Sequence, residues 1–172
     1  MNKDIRKVLV IGSGPVVIGQ SSEYDYAGTQ AIRALKEDGI EVVCVNSNAA
    51  SVMTDKGLAD SVYIEPMNVD VLKRVIAAEK PDSILPTAGG DKGFELAQEL
   101  YQNGVLDEYK CSLLCVSPEL LYNLGDRNRF KQILAEINEP SVPGKVVKNT
   151  QSALAFAGEA GLPVIVRPAF TL

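Results

Sequence analysis

Short segments that are apolar throughout, separated by helical patterns, limit the fold of this chain more than any other feature. The clearest are Lys7–Ile11 (KVLVI), 41–45 (EVVCV) and Ser83–Leu85, with weaker ones at Ser61–Ile64 and 112–116. Strands without a polar face are buried on both sides, as in a parallel sheet covered by helices. Helical patterns fill the intervals at 25–38, 69–79 and 91–103. The sequence therefore predicts an α/β fold with a Rossmann-like, doubly wound parallel sheet.

The organisation of the chain changes after residue 117. Asp126 is suited to cap the N-terminus of a helix whose apolar residues recur at helical spacing as far as Ile137. Thr150 is placed to cap a second helix that ends at Gly161, and a final apolar strand is predicted at 163–167. We therefore predict two domains, at 1–122 and 123–172.

Charge and composition exclude several classes of function. The formal net charge is −5 and there is no basic run, which argues against a nucleic-acid or membrane-surface partner. The first apolar run stops at Gly12, so it is too short for a signal peptide, and we expect a cytoplasmic protein. The chain has no histidine, which excludes a Cys/His nucleophile pair and a histidine-bearing metal site. We predict that Cys44, Cys111 and Cys115 are reduced thiols, with Cys44 and Cys115 in buried strands.

A glycine-rich loop, GSGPVVIG at 12–19, directly follows the first strand. Glycines at this place allow a tight turn and a close approach of the backbone to phosphate. Against a dinucleotide site, Gly19 comes five residues after Gly14 instead of three, and Pro15 lacks an N–H. The second predicted strand also ends in 46–48 (NSN), without an acidic residue for a ribose hydroxyl. A structural turn, another ligand at this edge of the sheet, and an NAD-binding site are the alternatives.

Polar side chains gather at the predicted carboxyl ends of the strands, where open α/β sheets bind ligands. They are Glu23 and Asp25, the segment 46–48, and the segment 87–91 (TAGGD). Glu23 and Asp25 are either a catalytic carboxylate pair or an acidic first turn that complements the helix dipole. Arg127 and Arg129 lie at a helix start and Arg167 follows the last predicted strand, so each either binds phosphate or is an ordinary surface residue.

Six stretches, in this order, resemble one known family. They are VLVIGSGPVVIGQSSEYDYAGTQAIRALKEDG (8–39), VNSNAASVMTD (45–55), ADSVYIEP (59–66), KPDSILPTAGG (80–90), DRNRF (126–130) and LPVIVRPAFTL (162–172). Together they cover most of the chain and are similar to the amino-terminal half of the large subunit of glutamine-dependent carbamoyl-phosphate synthase. The motifs GPVVIGQ, VNSN and ILPT favour the first half of that subunit over the second.

The resemblance implies a pre-ATP-grasp domain at 1–122 and the beginning of an ATP-grasp domain at 123–172. It implies an ATP-dependent ligase of pyrimidine and arginine biosynthesis that uses ATP with magnesium or manganese, bicarbonate and ammonia. The ammonia is delivered from glutamine by an amidotransferase small subunit, and the first half of the large subunit forms carboxyphosphate. The resemblance maps two nucleotide-binding arginines onto Arg127 and Arg167. It assigns no catalytic residue and no metal ligand to this chain.

The sequence departs from the family pattern in two places. Asp91 and Lys92 stand where the family usually has Gln-Thr. The sequence also stops before the family's glycine-rich phosphate loop and metal ligands. We therefore expect the chain alone to be catalytically inactive and 123–172 to be prone to self-association. The competing interpretations are a stand-alone α/β binding module and an NAD-binding oxidoreductase domain.

Overall fold

The computed structural model describes residues 5–15 and 22–167. Within these ranges the chain forms five strands: β1 (Lys7–Ile11), β2 (Glu41–Asn46), β3 (Ser61–Ile64), β4 (Ser83–Leu85) and β5 (Ser112–Leu113). The helices are α1 (Ser22–Glu37), α2 (Val69–Glu79), α3 (Gly90–Gln102), α4 (Val105–Tyr109), α5 (Pro118–Gly125), α6 (Arg127–Glu136) and α7 (Thr150–Ala160). Two short 3₁₀ helices occur at Val52–Thr54 and Thr87–Gly89. No helix in the described ranges is long and apolar enough to cross a membrane.

The sheet is parallel, with the strand order β3-β2-β1-β4-β5. This confirms the prediction of a doubly wound α/β fold. The order reverses between β1 and β4, which is the topological switch point where such sheets bind ligands at their carboxyl edge. β1 lies in the middle, with Leu9 opposite both Val43 of β2 and Ile84 of β4.

Both faces of the sheet are covered, because alternate residues of each strand point to opposite sides. On one face Leu9 and Ile11 pack in a cluster with residues of α2, α3 and α4. On the other face Val8 and Val10 pack with Ile32 of α1 and with Met53. All four β1 side chains named here are fully buried, which accounts for the uniformly apolar sequence of the strand.

A glycine allows α3 to pack closely against the segment that follows β4. A Cβ atom added to Gly93 would overlap the backbone carbonyl oxygen of Pro86. Pro86 is itself buried and directly follows Leu85, the last residue of β4. Since neither partner of this contact is a flexible side chain, the distance between α3 and the sheet depends on the missing side chain at Gly93.

The described residues separate into two compact units, 1–122 and 123–172. In the second unit, Asp126 caps α6 as predicted, because its carboxylate accepts hydrogen bonds from the backbone N–H groups of Asn128 and Arg129. The cap of α7 is Asn149, which accepts from the N–H of Ser152, and not the predicted Thr150. Neither α6 nor α7 contains a buried residue, so this unit has little apolar core of its own.

The strand predicted at 163–167 is wrong: this segment has no regular secondary structure. Two of its apolar residues are almost fully exposed, Ile165 at 96% and Val166 at 82% of their full accessible surface. A strand needs a hydrogen-bonding neighbour, and none of the described strands pairs with this segment. Apolar character alone therefore gave a false prediction here.

The fifth strand is shorter than predicted, and Cys115 is exposed instead of buried in it. β5 pairs only with β4, which is three residues long and is followed by Pro86. The last bond of this ladder runs from the Leu114 N–H to the Ile84 carbonyl, at 2.8 Å. Cys115 then adopts a positive φ of 64°, which turns the chain away from the sheet. Cys44 is buried in β2, as predicted, and Cys111 is also buried.

A charged network lies at the amino end of β1. Lys7 Nζ is 2.6 Å from Glu41 Oε1 and 3.1 Å from Glu79 Oε2, and the Tyr63 hydroxyl donates to Glu79 Oε1 at 2.7 Å. The hydrogen bond from Tyr63, followed by that from Lys7, holds the pKa of Glu79 below its ordinary value. The hydrogen bond to Glu41, followed by that to Glu79, raises the pKa of Lys7. The network links β1, β2, β3 and the end of α2 through Glu79.

Replacing Gly93 should destabilise the first unit. We expect Gly93→Ala to lower the free energy of unfolding by about 1–3 kcal/mol, because the new methyl group overlaps backbone. The matched control is Gly158→Ala in α7, where an added Cβ meets nothing within 4 Å. That change should raise helix stability by about 0.5–1 kcal/mol. Urea unfolding followed by circular dichroism measures both, and equal behaviour of the two variants would contradict the packing argument.

The network at Glu79 should make folding sensitive to acid. Because the pKa of Glu79 is lower in the folded state, its contribution to stability is present above the unfolded pKa and is lost as the pH falls through the folded pKa. The stability advantage of the parent over Glu79→Gln should therefore shrink between about pH 6 and about pH 3. Tyr63→Phe, which removes the larger cause of the shift, should reduce this pH dependence in part. Urea unfolding at a series of pH values provides the test, and a pH-independent difference would refute it.

Candidate functional site

The residue that follows β1, Gly12, is packed so closely that a larger residue does not fit there. Gly12 continues the ladder, since its N–H donates to the Val45 carbonyl at 2.8 Å. A Cβ atom on Gly12 would lie 2.5 Å from Asn46 Nδ2, and one on Gly89 would lie 2.8 Å from the Gly12 carbonyl oxygen. The turn after β1 is therefore in close contact with the end of β2 and with the 3₁₀ helix that follows β4, at the switch point of the sheet.

Asn46, the last residue of β2, organises this turn. Its side chain is fully buried, and its Oδ1 accepts hydrogen bonds from the N–H groups of Gly14 and Asn48, each at 3.1 Å. Gly14 has a positive φ of 75°, a conformation that glycine adopts without strain. One amide oxygen thus fixes the loops after both β1 and β2. The remaining part of the predicted glycine loop, 16–19 with Gly19, lies outside the described residues.

Two buried polar atoms in this turn have no hydrogen-bond partner among the described residues. They are Asn46 Nδ2 and the hydroxyl oxygen of Ser13. Buried polar groups in folded proteins are paired in the great majority of cases, and an unpaired one costs about 1–3 kcal/mol. The turn therefore contains donor capacity that the fold does not use. A shallow concavity lined by Pro15 and by Ser47 to Ala50 opens beside it.

Asp25 anchors α1 to the segment after β2. Its carboxylate accepts hydrogen bonds from the Ser51 hydroxyl and, at 3.4 Å, from the Val52 N–H. Ser51 in turn caps the first 3₁₀ helix by accepting from the Met53 N–H at 3.2 Å. Glu23, two residues earlier in α1, is exposed. These contacts give Asp25 a structural role, and the prediction of a catalytic pair with Glu23 gains no support from them.

The segment after β4 also depends on glycine. Gly90 has a positive φ of 55°, and a Cβ there would lie 2.9 Å from the ring of Tyr24. Asp91 is exposed in the first turn of α3. The Lys92 ammonium pairs with Glu95 of the same helix at 2.8 Å, and both side chains are largely exposed. The two charged residues that depart from the family pattern are thus surface residues, and Lys92 is partnered within its own helix.

The predicted phosphate-binding arginines lie in the second unit. Arg127 is the first residue of α6, and Arg167 lies in the irregular segment that follows α7. Both are exposed. Arg129 donates from Nε to Asn123 Oδ1 at 3.2 Å. The residues that follow Arg167 in the motif, from 168 on, lie outside the described residues.

Metal and thiol chemistry find little support in the described residues. Within them, no group of three or more carboxylate or thiol side chains is arranged to hold a metal ion. Burial raises the pKa of the Cys44 and Cys111 thiols to about 12, so both are protonated at neutral pH. A protonated, buried thiol is a poor nucleophile and a poor metal ligand.

Sequence reasoning did not find the contact between Asp25 and Ser51. The two residues are 26 positions apart and meet only because α1 packs beside the end of β2. A weak local signal exists, since a serine before a short apolar segment is a typical helix cap. Asn46 was predicted only as part of the polar segment 46–48 and Ser13 only as part of the glycine-rich loop, without a role for either side chain.

The chain matches two family profiles that together cover almost all of it. Residues 4–123 match the "Carbamoyl phosphate synthase preATP-grasp domain". Residues 126–172 match the "Carbamoyl-phosphate synthase L chain, ATP binding domain". The chain is 55% identical over 171 residues to the carbamoyl phosphate synthase large chain of Agathobacter rectalis and 52% identical over 172 residues to that of Clostridium perfringens. These alignments cover 99% and 100% of this chain but only 16% of each relative.

Solved structures show the same fold at low sequence identity. One is the biotin carboxylase domain of the Hydrogenobacter thermophilus 2-oxoglutarate carboxylase, in complex with MgADP, ADP and bicarbonate. It matches with a TM-score of 0.67 at 22% identity, over 92% of this chain and 34% of that one. The other is the N5-carboxyaminoimidazole synthetase of Staphylococcus aureus with ADP, with a TM-score of 0.67 at 16% identity, over 96% of this chain and 39% of that one. At this identity the likeness concerns the fold alone.

The anchoring role of Asp25 can be separated from a helix-dipole role by two matched substitutions. Asp25→Ala should lower the free energy of unfolding by about 1–3 kcal/mol, because the Ser51 hydroxyl and the Val52 N–H lose their acceptor. Glu23→Ala removes another carboxylate from the same first turn and should change stability by less than about 0.5 kcal/mol. Urea unfolding measures both values. Similar losses of stability in the two variants would mean that the Asp25 carboxylate stabilises α1 through the helix dipole and not through the contact with Ser51.

Proposed function

Because the chain belongs to the carbamoyl phosphate synthase large-chain family, we propose that it forms part of an ATP-dependent ligase that makes carbamoyl phosphate from bicarbonate, ATP and glutamine-derived ammonia. The observation that carries this proposal is sequence identity above one half across both units of the chain. Chance similarity confined to the glycine loop would not extend through 123–172. The chain spans 16% of the length of these relatives, so it accounts for only a part of the proposed reaction.

Within this proposal the two units have different tasks. The first, 1–122, is the pre-ATP-grasp domain and supplies the rigid parallel sheet. The second, 123–172, begins the ATP-binding domain and supplies Arg127 and Arg167, whose guanidinium groups bind the phosphates of the nucleotide. Guanidinium suits this task because it is permanently charged and offers paired N–H donors to phosphate oxygens. Phosphoryl transfer depends mainly on such positioned cations, which is consistent with a chain that has no histidine.

Magnesium accompanies ATP in this proposal, but the described residues do not fit it. Within them no set of carboxylates is arranged to hold a cation. We therefore assign no metal ligand and no metal-dependent step to this chain.

The proposed partner is a glutamine amidotransferase small subunit that delivers ammonia. The free state of all three cysteines is consistent with the proposed cytoplasmic location.

The two arginines provide the direct test of nucleotide binding by this chain. We expect weak binding of ATP, with a Kd of about 1 mM or higher, since few phosphate contacts must offset the ligand's lost freedom. Arg127→Ala and Arg167→Ala should each weaken it about tenfold, the effect of losing one charge-assisted hydrogen bond. The matched control is Arg129→Ala, because residues two apart on a helix point in different directions.

The measurement is a titration of the isotope-labelled chain with ATP, followed by two-dimensional amide NMR. Saturable shifts should concentrate in residues 123–167 and should be reduced in the two arginine variants only. Shifts of equal size in the parent and in both variants would refute the assignment of Arg127 and Arg167. A loss confined to Arg129→Ala would move the phosphate site to the other side of α6.

A further inference from the structure

The turn between α3 and α4 contains a dipeptide that can modify itself. Asn103 is followed by Gly104, and no other asparagine in the sequence precedes a glycine. Both residues are exposed. A Cβ atom added to Gly104 would meet nothing within 4 Å, so the backbone at this place is open to solvent.

An asparagine before a glycine loses its side-chain amide without an enzyme. The backbone nitrogen of the glycine gives up its proton and attacks the asparagine Cγ. The new Cγ–N bond closes a five-membered succinimide ring, the Cγ–Nδ2 bond breaks, and the amide leaves as ammonia with the released proton. Water then opens the ring at either carbonyl, which gives aspartate or isoaspartate. Glycine favours ring closure because it has no side chain to shield its nitrogen and its backbone rotates freely.

The folded turn holds Asn103 in a geometry that opposes this attack. Its ψ of 5° places the Gly104 nitrogen on the side of the Asn103 nitrogen and away from the Asn103 Cβ. The Gly104 N–H is also donated to the Tyr101 carbonyl at 2.9 Å. Ring closure requires a rotation about the Cα–C bond of Asn103. That rotation breaks this hydrogen bond and moves the start of α4.

The core of the first unit resists such a movement. Val105 and Leu106 are the first two residues of α4, and both are buried. They share one apolar cluster with Leu100 of α3, which is also buried. Opening the turn therefore exposes apolar surface, which costs free energy. The rate of the reaction in the folded protein depends on how often α4 opens.

We propose that Asn103 is a site of spontaneous deamidation, that the folded protein reacts there through local opening of α4, and that the isoaspartyl product weakens the fold. Isoaspartate continues the chain through its side-chain carboxyl group, so it adds one CH₂ group to the backbone of the turn. A close-packed core does not absorb this extra length between Leu100 and Val105 without a shift of one of them. The site depends on the first unit alone and is independent of the proposed nucleotide site.

The test follows the parent chain at alkaline pH, once folded and once unfolded in guanidinium chloride. Trypsin releases residues 93–110, in which Asn103 is the only asparagine, and mass spectrometry of this peptide measures the conversion of the amide to an acid. The folded chain should react at least about tenfold more slowly than the unfolded chain, since each 1.4 kcal/mol or so of opening free energy slows the reaction about tenfold.

Asn138 provides a matched control within the same molecule. It is exposed and has a positive φ of 60°, but it precedes Glu139 instead of a glycine. Trypsin releases it in a separate peptide, 132–145, which contains no other asparagine. This peptide should stay unmodified in both the folded and the unfolded chain while residues 93–110 of the unfolded chain react.

Two substitutions separate the chemistry from the opening of the fold. In the unfolded chain, Gly104→Ala should slow the conversion at least about fivefold, because the methyl group shields the attacking nitrogen. In the folded chain, Leu106→Ala should speed it at least about fivefold, because α4 loses a buried anchor. The matched control is Met53→Ala, which removes a fully buried side chain on the other face of the sheet and should change the folded rate much less.

Asn103→Asp separates the added charge from the added backbone length. It carries the same charge as the deamidated protein but keeps the normal backbone. The deamidated fraction is collected by ion exchange, and chromatography of its 93–110 peptide measures the share of isoaspartate. This fraction should unfold at a lower urea concentration than Asn103→Asp. Equal stability of the two proteins would overturn the claim that the product weakens the fold.

Four other results would overturn the proposed site. The first is an unfolded parent in which the 93–110 peptide stays unmodified. The second is an equal rate in the folded and the unfolded parent. The third is a Gly104→Ala chain that reacts as fast as the parent when both are unfolded. The fourth is an equal acceleration by Leu106→Ala and Met53→Ala, which would mean that the reaction requires global unfolding. The first three do not depend on the folding of any variant.

Discussion

The central position of β1 constrains everything around the carboxyl edge of the sheet. This strand is hydrogen-bonded along both of its edges and buried on both of its faces. The backbone that follows Ile11 therefore leaves the sheet at its carboxyl edge. That exit is crowded by Asn46 on one side and Gly89 on the other. A Cβ at position 12 would overlap the Asn46 side chain, and a Cβ at position 89 would overlap the Gly12 carbonyl oxygen. Gly12 and Gly89 thus permit the close approach of the ends of β1 and β2 and the 3₁₀ helix after β4, and a phosphate is not needed to explain them.

This crowding explains why an amide and not a carboxylate ends β2. The Asn46 oxygen accepts from two backbone N–H groups, and its nitrogen packs against Gly12. An aspartate would place a second oxygen, charged and buried, against the backbone of the turn, which is costly without a cation. A dinucleotide site requires an acidic side chain here to bind the ribose. The packing of β1 therefore disfavours the NAD-binding alternative for a reason that the residue type alone does not give.

The sequence predicted those parts of the fold that depend on local patterns. Fully apolar segments marked β1 and β4, and caps and glycines marked the helix ends near Asp126 and Gly161, because burial and capping act over a few residues. The strand predicted at 163–167 failed because strand formation requires a partner elsewhere in the chain. The shortening of β5 and the contact from Asp25 to Ser51 are likewise set by distant residues. The candidate site at the carboxyl edge of the sheet stays a prediction, and the unpaired groups of Asn46 and Ser13 follow only from three-dimensional packing.

The two units differ in the kind of polar group that they present. The first unit has uncharged, buried polar groups around the turn after β1, at Ser13 and Asn46. The hydrogen bonds that Asn46 accepts in this setting gain strength because water is excluded. The second unit presents exposed guanidinium groups at Arg127 and Arg167. Exposed cations attract multiply charged phosphates by Coulomb forces. Dissolved salt screens this attraction, with a Debye length of about 8 Å at physiological ionic strength. Increasing ionic strength should therefore weaken the proposed phosphate contacts more than the buried hydrogen bonds that Asn46 accepts in the first unit.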